Sequence, residues 1–245
     1  MVPEKEIDEF VARIRQAAGE NLQSVILYGS AVTGEFHDKF SNVNLLCVVR
    51  DASYATLSAI APAVEWWTRH KRHVPLVLTG EELQRSADVF SIEFLDMQLR
   101  HRVLFGVDGL AGLTIPMHFH RAQVEYELRE KTILLRERLL VAGTNRKQLW
   151  ELMMSSLATF ATLFRHSLIA LGETPPDSKR ETVLAVAKRI SFDPSSFQQL
   201  LDIREHKADQ KQFDAAEMLG RYLAAIQQVT AAVDRMLDST EARSS

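Results

Sequence analysis

The 245-residue sequence holds a single cysteine, Cys47, and that residue sits inside an apolar run. One thiol forms no intramolecular disulfide, so a disulfide-stapled scaffold is excluded and a reducing compartment fits. No stretch of about 18 apolar residues occurs, which excludes a hydrophobic membrane-spanning helix. Residues 1–18 alternate charged and apolar side chains and lack the apolar centre of a signal peptide. The expected location is therefore cytoplasmic. An excess of one charge is also missing. Lys and Arg number 29 and Asp and Glu 32, a formal net charge of −3, so no global positive field draws the chain to nucleic acid or an anionic membrane. Glycine is scarce beyond Pro116, where only Gly143, Gly172 and Gly220 remain. What is present in quantity is apolar: 46% hydrophobic against 25% charged residues, the balance of a soluble protein with a sizeable core.

The first half alternates helical and strand-like periods. Ile7, Phe10, Val11 and Ile14 recur at helical spacing. Residues 24–28 (SVILY) read as a strand stopped by Gly29, and residues 42–49 (NVNLLCVV) as a second. Residues 53–70 read as a helix with Leu57, Ile60, Ala61, Val64 and Trp67 on one stripe, and of the adjacent Trp66 and Trp67 one is expected to pack inward and one to sit at the margin. Residues 73–78 form a third strand, placed at a sheet edge or bulge by Pro75. Thr79 and Glu82 have the spacing of a capping box. Residues 90–95 and 102–105 also read as strands. Beyond Pro116, helices are expected over 121–141, 147–171, 179–190, 195–205 and 213–237, with Tyr126 and Tyr222 packed between them. His118 and His120 read as linker residues, and His166 and His206 as helical ones. The fold class is α+β: a mixed β-sheet with flanking helices over residues 1–113, followed by an all-α helical bundle over 114–245.

The segment with chemical character is Leu27-Tyr28-Gly29-Ser30, then eleven residues, then Asn42-Val43-Asn44-Leu45. A strand that turns at glycine lets the backbone approach a ligand closely. A helix opening at Ser30 and running to about residue 35 would present backbone N–H groups suited to phosphate. Strand alternation sets Asn42 and Asn44 on one face and Val43 and Leu45 on the other. The expected nucleotide-binding residues are Gly29, Ser30, Asn42 and Asn44.

This segment resembles the signature of the nucleotidyltransferase superfamily, the group of DNA polymerase beta and of the kanamycin and streptomycin nucleotidyltransferases. That signature is a hydrophobic residue, Gly-Ser, roughly nine to thirteen residues, then Asp-hydrophobic-Asp-hydrophobic. Residues 75–79, 91–96 and 104–106 resemble bacterial members with a helical C-terminal domain. The resemblance implies a two-metal transfer of a nucleoside monophosphate, with Mg²⁺ held by the two aspartates and a third carboxylate from the next strand. Here Asn42 and Asn44 stand at the aspartate positions and residues 73–78 contain no carboxylate. An amide offers a neutral oxygen and an N–H₂ that repels a cation. Loss of a general base alone typically costs ~10²–10⁴-fold in rate. Of the acids that could substitute, Glu35 and Asp38 lie between the motif halves and Glu93 and Asp96 near a later strand candidate, and none of them occupies a signature position.

The expectation is a protein of nucleotidyltransferase fold with no metal site and no ordinary catalysis, which binds a nucleotide or phosphorylated ligand. One alternative is an active transferase acting on a hydroxyl of a small molecule or protein, with Mg²⁺ on substitute ligands. Another is a non-catalytic adaptor that docks a protein partner, or a second copy, through its helical half. The basic run 69–73 reads as the cationic end of a helix.

Overall fold

The computed structural model describes residues 2–32 and 42–241, with side chains through residue 235. The chain divides into two compact units, Met1–Met117 and His118–Ser245. The first unit is built on a four-stranded mixed sheet of order β3-β2-β1-β4. Strand β1 (Leu22–Tyr28) pairs antiparallel with both β2 (Asn44–Val49) and β4 (His101–Gly106), and β2 pairs parallel with β3 (Leu76–Thr79). Pro75 is buried just ahead of β3, an edge strand, where a missing N–H costs the sheet least.

Both faces of this sheet are covered, which explains the nearly unbroken apolar runs of β1 and β2. Val25, Leu27, Leu45, Cys47 and Val49 point to one face. They pack against Ile7, Phe10 and Ile14 of α1 (Glu4–Ala18) and Ile60, Ala63 and Trp67 of α2 (Tyr54–Arg69). Trp67 stacks on Phe10 at 5.0 Å and its Nε1 donates to the His73 carbonyl at 2.8 Å. The buried stripe of α2 is thus Ile60, Ala63 and Trp67, while Leu57 and Ala61 are exposed. Pro62 and Ala63 supplied no strong hydropathic contrast from which the correct rotation could be read. Burial raises the Cys47 thiol to about 12, which makes it inert.

Ile26, Leu46 and Val48 point to the other face, where Leu83 of α3 (Gly80–Arg85) and Phe94 and Met97 of α4 (Ser91–Leu99) cover them. Thr79 caps α3 as its spacing predicts: its Oγ1 accepts from the Glu82 amide at 3.1 Å, and Glu82 Oε2 accepts from the Thr79 amide at 2.7 Å. Residues 90–95, expected as a strand, belong instead to α4 or its edge. Ser91, Phe94 and Met97 are buried at three-residue intervals, and Phe90 meets Phe94 edge-on at 6.2 Å, four residues apart. A short apolar run fits both periods, and packing under β1 and β2 selects the helix.

The second unit comprises α5 (His120–Ala142), α6 (Arg146–Ala170), α7 (Lys179–Ile190), α8 (Ser195–Arg204) and α9 (Ala215–Glu241). Asn145 and Ser178 cap α6 and α7 by accepting from the Gln148 and Glu181 amides. The central helix is α6, which packs on the other four. Phe160, Phe164, Phe197 and Tyr222 form its aromatic core, with Phe197 and Tyr222 ring centroids 4.6 Å apart. The buried Tyr222 hydroxyl lies 3.0 Å from Ser156 Oγ. Glu125–Arg129 and Glu127–Lys131 form the expected ion pairs along α5. Three expectations fail in this unit. Tyr126 is 63% exposed and packs between no helices, because it lies opposite the Val124–Leu128–Leu135 face. His120 is no linker residue: it opens α5 and is buried, its Nε2 3.4 Å from His166 Nδ1. His206 lies past the end of α8, at φ 59°. Among the described residues no helix is long and apolar enough to cross a membrane.

Candidate functional site

The candidate site lies at one end of the sheet, where β1 stops and β2 begins. Tyr28, the last residue of β1, pairs with Asn44, the first of β2, and on its other side with His101 of β4. Gly29 follows at φ +79°, a left-handed conformation that side-chain-bearing residues adopt at a cost of roughly 1–2 kcal/mol. A Cβ at Gly29 would stand 3.2 Å from Asn44 Nδ2. The glycine therefore does two things: it turns the chain, and it leaves room for the Asn44 amide beside the turn.

Ser30 is half-buried in a single 3₁₀ turn, Gly29–Ala31, closed by the Val32 amide donating to the Gly29 carbonyl at 3.0 Å. The Gly29 amide itself donates to the Arg100 carbonyl at 3.1 Å, so this N–H is committed to β4's entry. The helix expected to open at Ser30 is this one turn as far as residue 32. Residues 33–41, with Glu35 and Asp38, lie outside the described residues.

Asn42 is exposed and precedes β2, which begins at Asn44 rather than at residue 42. The alternation nonetheless extends through it. Val43 and Leu45 are buried in the core on the α1/α2 face, while Asn42 is exposed and Asn44 half-buried. Strand β3, parallel to β2, offers Leu, Val, Leu and Thr.

Glu93 enters this neighbourhood through α4, whose first turn it occupies. Burial, and then the negative charge of Glu93, hold the Tyr28 hydroxyl above its ordinary value. Reading residues 90–95 as a strand conceals this approach, because the run fits both periods and only packing under β1 and β2 makes it a helix. On the β4 side, His101 Nε2 meets Asp108 Oδ2 at 2.9 Å, and its Nδ1 lies 2.9 Å from the Met97 carbonyl. Asp108 Oδ1 accepts from the Leu110 and Ala111 amides. Burial works to raise the Asp108 carboxyl, but the His101 and backbone hydrogen bonds outweigh it, and the group lies below its ordinary value.

Neutral amides at 42 and 44 and an apolar β3 do not fit a divalent cation that takes carboxylate oxygens. Among the described residues no three His, Cys, Asp or Glu side chains are grouped to hold a metal ion. Among the described residues, the chemistry this end can offer is polar contact from amides, a hydroxyl and a tight turn, with Glu93 acting on Tyr28 and the Asp108 carboxylate held by His101.

No family model matches the chain, and no curated protein matches it. Among solved structures, a spectinomycin adenyltransferase from Enterococcus faecialis, determined with ATP and spectinomycin, aligns over 94% of this chain and 99% of its own at 15% identity, with a TM-score of 0.57. A nucleotidyltransferase-like protein from Exiguobacterium sibiricum aligns over 92% of this chain and 75% of its own at 14% identity and a TM-score of 0.36. A toxin–antitoxin protein with AMP-PNP aligns over 41% and 74% at 15% identity and a TM-score of 0.30. The last two scores are too low to carry weight. The first establishes the class: this chain has the nucleotidyltransferase fold, an α+β sheet unit with a helical domain. The residues expected at the site, Gly29, Ser30, Asn42 and Asn44, all fall at this one end of the sheet.

Proposed function

We propose that this protein binds a nucleotide or phosphorylated ligand at the Gly29–Ser30 turn and carries out no two-metal nucleotidyl transfer. The observation that carries this reading is Asn44. It holds a signature aspartate position, and its amide stands beside the positive-φ glycine of the turn. The site keeps the glycine shape and replaces the charge. Removing two carboxylates from a few ångströms around a divalent ion removes contacts of order several kcal/mol each at an effective dielectric near 20. Polar contacts to a phosphate need no carboxylate, and two lost negative charges lower the repulsion an unmetallated phosphate would meet.

The ligand to test first is ATP, because the adenyltransferase that shares this fold was determined with it. Calorimetry with ATP and GTP, with and without Mg²⁺, is expected to show binding that Mg²⁺ does not strengthen. Labelled triphosphate is expected to remain intact. Binding that requires Mg²⁺, with turnover of the triphosphate, would overturn the proposal. So would the absence of binding by either nucleotide and by a panel of phosphorylated small molecules, and a co-purifying protein partner would then favour the adaptor reading.

A second reading, an active transferase with substitute ligands, draws on Glu93, whose charge reaches Tyr28 at the same sheet end. Asp108, the other carboxylate described at this end, is held by His101 and by the Leu110 and Ala111 amides, and Glu93 by itself is fewer ligands than a two-metal clamp uses. Incorporation of labelled nucleotide into a hydroxyl substrate, abolished by Glu93→Gln, would establish this reading. Activity appearing only in an Asn42→Asp/Asn44→Asp variant would count against it.

A further inference from the structure

Helix α5 carries an apolar row that nothing in its own unit covers. Tyr126, Ile133 and Leu140 recur every seven residues and are 63, 53 and 84% exposed, and Leu134 and Val141, the latter 86% exposed, lie about 100° further round the helix, beyond Glu130 and Glu137. The opposite side of the same helix supplies the buried Val124, Leu128, Thr132 and Leu135. Exposed leucine and valine at this density are not scattered surface residues; contiguous apolar patches mark interaction sites. A seven-residue repeat specifically suits a partner helix.

The charges beside the row select the partner. On a helix, residues three and four positions on from a given residue fall about 60° to one side of it and about 40° to the other. Arg129 and Arg136 thus form a basic ridge along one flank of the Tyr126–Ile133–Leu140 row, and Glu130 and Glu137 an acidic ridge along the other. Arg129 is already held by Glu125 and Asp234, and Glu130 by Lys131. Arg136 and Glu137 make no ion pair among the described residues. If two copies pack with their α5 helices parallel about a twofold axis, the basic flank of one meets the acidic flank of the other. Arg136 of each copy then faces Glu137 of its mate. An antiparallel pair would set basic flank against basic flank. The pattern is self-complementary in one orientation only, as an isologous interface requires. Grooves of about 300 Å³ between α5 and α9 and about 470 Å³ between α5 and α6 open beside the row and leave space for the mate's side chains.

We propose that α5 is a homodimer interface, in which the Tyr126–Ile133–Leu140 rows of two copies pack in parallel and are locked by reciprocal Arg136–Glu137 ion pairs. Sedimentation equilibrium of the full chain across a concentration series is expected to show a monomer–dimer equilibrium. Arg136→Glu should weaken dimerisation ~10-fold or more, and the double exchange Arg136→Glu/Glu137→Arg should restore it, because the flanks are then complementary again. Leu140→Cys should cross-link copy to copy under mild oxidation, the buried Cys47 remaining silent. These positions are exposed, so circular dichroism of every variant should match that of the parent chain. A chain that stays monomeric at all concentrations would overturn the proposal. Tighter dimerisation by Arg136→Glu, or a dimer in which Leu140→Cys fails to cross-link, would also overturn it, since either outcome means another orientation or another face.

Discussion

The two ends of the sheet are built on the same device and use it differently. Each has a glycine at positive φ beside β1: Gly29 at +79° and Gly106 at +77°. At Gly106 a side chain would run into the carbonyl oxygen of Gln23, backbone that belongs to the neighbouring strand and cannot move without breaking the ladder. Among the described residues, a side chain at Gly29 would meet only the tip of the Asn44 amide, at 3.2 Å. The Gly106 end also carries the Thr79–Glu82 capping box, where β3 runs out beside Val49. The Gly29 end carries exposed or half-buried amides and a hydroxyl. One end is held by contacts that cannot yield, and the other keeps its polar groups at the rim. The difference separates a glycine required by folding from one that shapes a surface.

Four experiments break or sharpen this contrast. The largest effect is expected at Gly106→Ala, which combines the left-handed strain with a backbone collision and should cost about 3 kcal/mol or more in urea unfolding. A loss below about 1 kcal/mol there would erase the distinction. Gly29→Ala should cost about 1–2 kcal/mol, chiefly from its φ, since Asn44 can swing aside. It should also abolish ligand binding at the proposed site while leaving a folded protein, so calorimetry and unfolding together report whether the two glycines differ in kind. Thr79→Ala should cost about 1 kcal/mol by removing the cap of α3, with nucleotide affinity unchanged because the cap belongs to the opposite end.

The smallest effect is a pH dependence at Asp108. Its folded-state carboxyl lies below its ordinary value, so the ionised form is favoured by folding. That stabilisation is fully present above the unfolded carboxylate value, about 3.9, and is lost as pH falls through the lower folded value. Urea midpoints followed downward from neutral pH should therefore fall less steeply below about pH 4 in Asp108→Asn than in the parent chain. An identical slope in the two proteins would mean that the His101–Asp108 contact contributes nothing at this edge of the sheet.

Much of the architecture was legible in advance because the relevant physics is local. The Thr79–Glu82 spacing announces a capping box whatever surrounds it, and Glu125–Arg129 and Glu127–Lys131 pair because a helix brings them together. The unbroken apolar runs of β1 and β2 follow from burial on two faces. Residues 90–95 misled for the opposite reason. FSIEFL satisfies the strand and helix periods alike, and only the space under Ile26 and Leu46 decides for the helix. Tyr126, expected between helices, is turned to solvent because its angular position on α5 is opposite Leu128. That Gly29 and Asn44 are neighbours at one sheet end follows from two strands flanking the motif. The hydrogen bond that commits the Gly29 amide to Arg100, and the reach of Glu93 to Tyr28, could not be read this way, because both depend on elements some seventy residues later in the chain.

By itself the sequence determined most of the elements and the chemical character of the motif, a Gly-Ser turn followed by two amides two residues apart. Those properties reside in side-chain type and near-neighbour spacing, which folding does not alter. The tertiary structure alone decided that Asn44 stands against Gly29, that Gly106 is hemmed in by Gln23, and that one face of α5 is left uncovered. These are matters of register and of which surface meets which, and they are set by packing between residues far apart along the chain.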